Sequence, residues 1–214
     1  ATVTGSIYNG GRLYIDALSG GVIDLHSVTT LQDGATGDPG YRSIEVTADG
    51  TGSLVRLESL TSFTDNAASD YDWGRYSRLQ ATNSGEVRVP LLRNAVGVVL
   101  VLDATGVMPV SQIESLVSGR IEARGRSVAL PNLVTATYTV VDVSGGGVFE
   151  APSLTAIDGM SLFAAGGSRI TLAGVTSYTH ASGSNWVGRY WRATDAGSRI
   201  ELPNLATVTG SVYY

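Results

Sequence analysis

The chain of 214 residues has no cysteine, so neither a disulfide framework nor thiol chemistry is open to it. That absence fits an extracellular bacterial protein whose core is long enough to need no staples. Lysine is missing too, and all 14 basic residues are arginine. Arginine keeps its charge and offers a planar fork to sulfate or carboxylate, and it stacks on aromatic rings. The basic set is also outnumbered: the net charge of −5 argues against general affinity for nucleic acid. No apolar run approaches the ~20 residues of a membrane span, and no signal peptide is present. No stretch shows helical period.

What the chain does have is repetition. Residues 1–8 and 206–213 match at all but one position, Ile7 against Val212. Between them an apolar-x-apolar-x-x-apolar pattern recurs. It appears as Ile23-Leu25-Val28, Val55-Leu57-Leu60, Val87-Val89-Leu92 and Met108-Val110-Ile113. It continues as Val128-Leu130-Leu133, Phe149-Ala151-Leu154, Ile170-Leu172-Val175 and Ile200-Leu202-Leu205. The copies lie 32, 32, 21, 20, 21, 21 and 30 residues apart. A period near 21 with roughly ten-residue insertions is the signature of a solenoid. The chain starts in mid-repeat and reads as a piece of something longer.

Each repeat divides into three short strands of period 2. The first carries pairs such as Ile44-Val46, Leu79-Ala81, Val99-Val101 and Ile121-Ala123. A turn rich in Gly and Asx follows. The second strand is the recurring pattern, with Pro90, Pro131, Pro152 or Pro203 at its corner. The third is Leu154–Ile157 and its equivalents. Strands this short bury their inward side chains only by stacking on the next copy. The expected fold is all-β: a single-stranded parallel β-helix (three-sided solenoid) of about eight coils with long-coil insertions at one corner, residues 1–214 forming one domain. At ~4.8 Å per coil the stack stands roughly 35–40 Å tall. A leucine-rich repeat would need a Leu-rich signature and an Asn ladder, and neither is here.

The run Ile200-Glu201-Leu202-Pro203-Asn204-Leu205 through Gly210 resembles the repeats of large secreted proteins of planctomycetes and other environmental bacteria. The resemblance implies an extracellular or cell-surface β-helix module, next to neighbouring domains of a larger chain. The fold by itself does not choose among lyases, pectin-modifying enzymes, tailspikes, adhesins and carbohydrate-binding modules.

Long repeats insert at one place, between third and first strands: Thr4–Arg12, Gln32–Ser43, Thr64–Arg78 and Thr179–Tyr190. Four short repeats between them leave a low saddle roughly 20 Å long, enough for about four sugars. Two insertions share the core Trp-(x)-Gly-Arg-Tyr-x-Arg. One supplies Trp73, Arg75, Tyr76 and Arg78; the other supplies Trp186, Arg189, Tyr190 and Arg192. A fainter copy supplies Tyr41 and Arg42. Aromatic faces stack on sugar C–H faces, and arginine pairs with sulfate or carboxylate substituents. The same residues also serve to tether an insertion by burial.

Other residues point less clearly to chemistry. His26 and His180 have no metal-ligand spacing around them. The Asp33-Gly34, Asp38 and Asp49-Gly50 turns suit Ca²⁺ in residue type, but the calcium-binding nonapeptide pattern is missing, so no cofactor is assigned. In the saddle the outward first-strand column reads Leu100, Glu122, Asp142, Phe163. Glu122 and Asp142 fall on adjacent strands at ~5 Å, a retaining-glycosidase separation, but Arg120, Arg124 and Arg126 neutralise them. Positions Thr29, Thr61, Arg93, Glu114, Val134, Thr155, Thr176 and Ala206 break the threonine ladder that ice binding requires. The expectation is a non-catalytic polysaccharide-binding module for an acidic glycan, without nucleic-acid or membrane partners. The alternatives are a structural or adhesive surface repeat, and a lyase or glycoside hydrolase of the same fold.

Overall fold

The computed structural model describes residues 1–34, 41–66, 76–180 and 188–210. Its strands begin with β1 (Thr2–Thr4), β2 (Arg12–Leu18), β3 (Val22–Asp24) and β4 (Thr30–Asp33). They continue with β5 (Ser43–Asp49), β6 (Leu54–Arg56), β7 (Ser62–Asp65), β8 (Ser77–Thr82) and β9 (Glu86–Arg88). Next come β10 (Asn94–Val96), β11 (Val98–Leu102), β12 (Ser115–Val117), β13 (Arg120–Arg124) and β14 (Val128–Ala129). Then follow β15 (Val140–Ser144), β16 (Val148–Glu150), β17 (Ser161–Ala164) and β18 (Arg169–Thr171). The last are β19 (Ser177–Thr179), β20 (Trp191–Ala193), β21 (Arg199–Glu201) and β22 (Thr207–Thr209).

Among the described residues there is no helix, and every pairing between strands is parallel. The largest sheet has eight strands in the order β2-β5-β8-β11-β13-β15-β17-β20. A five-stranded sheet runs β1-β4-β7-β10-β12, and smaller ones run β3-β6-β9, β14-β16-β18-β21 and β19-β22. Parallel neighbours need a crossover of a dozen residues or more. Here the crossover is made of strands of the other sheets.

The alternation predicted from sequence places one contiguous core between the sheets. Leu57, Val89, Leu130 and Leu172 are buried in it, and Leu202 at the last repeat is half-buried. The prolines sit at turns closed by i to i+3 hydrogen bonds: Leu92 N to Val89 O, Leu133 N to Leu130 O, Leu154 N to Ala151 O and Leu205 N to Leu202 O, each 3.2 Å. Proline at the second position of such a turn presets φ and gives up no ladder donor.

Turns between first and second strands stack as closely as the strands do. A Cβ on Gly85 would stand 2.2 Å from the Ala48 carbonyl oxygen, and one on Gly106 would stand 1.9 Å from that of Ala81. Glycine is required there because one turn's backbone lies against the next. Asp103 closes the second of these turns. Its carboxylate accepts from the N–H groups of Asn83 (2.8 Å), Thr105 (2.9 Å) and Gly106 (2.7 Å). Burial pushes this carboxyl up, but the bonds outweigh burial and hold it below the usual range.

One register differs from expectation. The sequence alternation predicts Val99 and Val101 inward, yet Val98, Leu100 and Leu102 join the core cluster. Leu100 aligns with the inward Leu79 and Ile121, so Val101, not Leu100, belongs to the outward column. The reason is local: β11 reads Val-Val-Leu-Val-Leu, with no polar residue to mark a face, and a one-residue slip exchanges the two faces.

Candidate functional site

The outward face of the eight-stranded sheet is set by the same pairing. One column reads Tyr14, Glu45, Arg78, Val99, Arg120, Val140, Ser161; the next reads Asp16, Thr47, Gln80, Val101, Glu122, Asp142, Phe163, Arg192. Tyr190 immediately precedes β20 and donates its N–H to Ser161 Oγ (3.1 Å), which places it beside Ser161 at the end of the first column.

The insertions all lie between a strand of the five-stranded or two-stranded sheet and a strand of this eight-stranded sheet. Short repeats cross the same corner on one residue of positive φ: Gly97 (64°), Ser118 (50°), Tyr138 (56°) and Gly159 (67°). The face therefore has expanded corners near β2, β5, β8 and β20 and tight corners between.

At the β5–β8 end a cleft of about 100 Å³ is lined by Arg12, Tyr41, Arg42, Ser43, Glu45, Tyr76 and Arg78. Arg12 Nε donates to the Tyr41 carbonyl (3.2 Å), and its guanidinium lies 3.5 Å from Glu45. Tyr41 is 52% exposed and is held at a φ of 55°. Arg78 bonds Gln80 Oε1 (3.4 Å) and, among the described residues, is in no ion pair with a carboxylate.

At the β20 end the Tyr190 and Phe163 rings lie 6.3 Å apart, and Arg192 sits 5.5 Å from the Tyr190 centroid. Arg192 likewise has no ion pair with a carboxylate among the described residues. Arg189 leans the other way, 5.7 Å over the Tyr138 ring at a tight corner. It also lines a cleft of about 220 Å³ with Tyr178, His180, Trp191, Val208, Thr209 and Gly210. Burial pushes the Tyr178 phenol up; Arg189 opposes this and Asp158 adds to it. Trp191 closes the core, edge-on to Tyr178 at 4.7 Å, and donates Nε1–H to Met160 O (3.2 Å).

Between the two ends the sheet face is charge-balanced. Arg120 bonds Asp142 (2.6 Å) and lies 2.8 Å from Glu122, and Arg124 pairs with Glu122 from the other side. Glu122 and Asp142 are register neighbours, as their spacing in sequence implied.

One residue expected to meet a ligand does not. Arg42 has a side chain with no solvent exposure, ion-paired to Asp33 and donating to the Gly34 carbonyl. It underlies the Tyr41 cleft as an anchor, and a sealed guanidinium cannot reach a ligand outside. Asp33 is thereby committed to Arg42, and Asp49 accepts from Thr82 (2.8 Å) and Asn83 (2.7 Å). Trp73, Arg75, Trp186 and Asp38 lie outside the described residues.

A second face begins one residue along from Thr29, Thr61 and Arg93. The five-stranded sheet presents Thr2 and Thr4, Thr30 and Gln32, Ser62 and Thr64, Asn94 and Val96, then Ser115 and Val117, with Val3, Leu31, Phe63, Ala95 and Leu116 inward. Bridges at Thr135 and Ala156 carry it on, and Gly159 N donates to Thr179 O, leading to Ser177 and Thr179 and then Thr207 and Thr209. Asp158 is the one charged residue in these outward columns. Thr29, Thr61 and Arg93 stand just before the strands instead.

Compared with known protein families, curated proteins and solved structures, the chain matches none.

Proposed function

We propose that the five sheets are the sides of one three-sided parallel β-helix of about eight coils, and that the outer face of its eight-stranded side binds an extended acidic polysaccharide. Three observations support the winding. Successive strands of each sheet come from successive repeats, the bridge Glu86–Val107 carries the β3-β6-β9 sheet one repeat further, and one core cluster runs through all repeats.

The observation that carries the binding reading is the placing of two aromatic–arginine groups on one face. Tyr41, Tyr76 and Arg78 stand at one end; Phe163, Tyr190 and Arg192 stand at the other. Arg78 and Tyr190 share a column five strand steps apart, or ~24 Å. Most other arginines of the described surface are spent on carboxylates, as in Arg56 with Asp24 and Glu58, Arg88 with Glu86, and Arg93 with Glu114. Arg78 and Arg192 are left to anions from outside, over a floor whose own charges cancel. The salt-bridged Glu122 and Asp142 favour a binding module over a hydrolase, since a catalytic pair needs one carboxyl protonated and one free. The natural setting is a module of a larger secreted bacterial protein.

Affinity electrophoresis against dextran sulfate, polygalacturonate and unsubstituted dextran tests this reading. Retardation by one of the charged polymers and none by dextran is expected. Equal behaviour in all three gels contradicts an acidic ligand.

A second reading rests on the hydroxyl-bearing face. Side chains of threonine and serine repeat there at the ~4.8 Å strand spacing, nearly free of charge. Such a face suits adhesion to a flat, regular surface, and ice is the simplest to try. Thermal hysteresis in the parent, lost in Thr64→Arg or Thr135→Arg, would favour it; none at millimolar protein rules it out.

A further inference from the structure

The cleft at the β5–β8 end is built where three strands of the eight-stranded sheet begin. Arg12 opens β2, Ser43 and Glu45 lie on β5, and Arg78 lies on β8; Tyr41, Arg42 and Tyr76 lead into the last two strands. Period-2 alternation turns Glu45 and Arg78 outward in one column, and Arg12 is the register partner of Ser43. Arg12 and Arg78 are two strand steps apart, ~10 Å, so they reach the cleft from opposite sides of β5.

Of the charged residues lining the cleft, three are arginine and one is glutamate. Arg42 is matched by Asp33 beneath it. Glu45 accepts from Ser43 Oγ at 2.9 Å and lies 3.5 Å from Arg12 Nη1, so its charge is held on its own strand and matched. Arg78 is the cation left over. Among the described residues its guanidinium makes one hydrogen bond, to Gln80 Oε1 at 3.4 Å, and its buried Nε has no partner. Arginine carries its N–H donors in a fixed fork, and a buried donor without an acceptor is costly. A positive, donor-lined cleft takes an anion.

Size and donor geometry narrow the choice. A volume of about 100 Å³ holds about three waters at ~30 Å³ each. A sugar ring does not fit in that space, but a charged substituent does. A carboxylate has its oxygens in one plane and is held best by a single arginine fork. Arg12 has its Nε turned to the Tyr41 carbonyl at 3.2 Å, so that fork is partly spent. The N–H groups that remain on Arg12 and Arg78 converge from two sides, which suits the tetrahedral oxygens of a sulfate. A sulfate also hangs from its ring through an ester oxygen, so it reaches inward while the ring stays outside. A uronate carboxyl is joined directly to the ring carbon and lacks that reach. We propose that the cleft receives one O-sulfate substituent, held between Arg12 and Arg78, with its sugar against the exposed Tyr41. This rests on the polysaccharide reading given above and names the ligand as a sulfated glycan.

Affinity electrophoresis of the parent and two variants against dextran sulfate and polygalacturonate tests the assignment. The parent should bind dextran sulfate about tenfold more tightly than polygalacturonate, and Arg12→Ala should lose most of that preference. Glu45→Gln keeps an acceptor for Ser43 and removes the nearest negative charge. It should tighten dextran sulfate binding several-fold, a gain that misfolding does not produce. Equal binding of the two polymers by the parent overturns the sulfate pocket and leaves the acidic-polysaccharide reading standing. So does a loss in Arg12→Ala with no gain in Glu45→Gln, which would mark Arg12 as a structural arginine, and so does dextran sulfate binding unmoved in both variants. Retardation by neither polymer overturns the polysaccharide reading itself, and the pocket with it.

Discussion

Asp33 and Arg42 form an ion pair sealed from solvent, with Arg42 Nε 3.5 Å from Asp33 Oδ1 and neither side chain exposed. The pair ties the far end of an insertion to the strand it leaves. Asp65, the register partner of Asp33, accepts from the N–H and hydroxyl of Ser77, each at 2.8 Å, and so ties down the next insertion. Two inward carboxylates at successive corners thus fix where the loops re-enter the eight-stranded sheet.

Removing Arg42 leaves a buried carboxylate without its cation. Arg42→Ala should cost about 3–5 kcal/mol in urea unfolding at neutral pH. A loss below about 1 kcal/mol would mean that water reaches Asp33 and the corner is not sealed.

The same corner gives a pH signature. Burial, and next the neighbouring Asp65, push the Asp33 carboxyl above the ordinary aspartate value of 3.8, against the pull of Arg42. A raised value in the folded state means that this contribution is fully present below 3.8 and is lost as pH rises through the folded value. The stability of the parent relative to Asp33→Asn should therefore fall as pH rises from 3.8 toward neutrality. A relative stability that climbs over that window would assign Asp33 the opposite shift.

Core truncation should depend on position along the stack. Leu130 is 1% exposed and Leu202 is half-buried at the last repeat. Leu130→Ala should cost about 2–5 kcal/mol, and Leu202→Ala distinctly less. Similar losses at both sites would indicate that something covers the last repeat.

At the proposed ligand face, Arg78→Ala and Arg192→Ala should each weaken binding of the charged polymer that is retarded, and flatten its salt dependence, because exposed charge pairs are screened. Tyr190→Ala should weaken it at every salt concentration, since its ring contributes by stacking. Unaltered affinity in all three variants would move the site elsewhere.

Repetition made much of the fold legible. The inward residues of second strands, the proline corners, the stacking of Glu122 on Asp142 and the common corner of the insertions follow from period and alternation alone. The register of β11 did not, because five apolar residues in a row carry no face information. The hydroxyl face was missed for a related reason: third strands are only three or four residues long, and their inward member is sometimes Ala, so one residue of slip goes unmarked. The role of Arg42 was hidden because a buried arginine and a ligand-seeking one have the same neighbours in sequence. What separates them is Asp33, nine positions earlier and brought beneath it by the fold.

The central claim is that one polysaccharide chain spans both aromatic–arginine groups. The most direct measurement is affinity against oligosaccharide length, by titration calorimetry with a size-fractionated series of the acidic polymer that binds. The groups lie ~24 Å apart, so affinity should rise steeply once the oligomer reaches roughly five sugars, and Arg78→Ala or Arg192→Ala should abolish the step. A smooth dependence on length, or a step that survives both substitutions, would contradict the account.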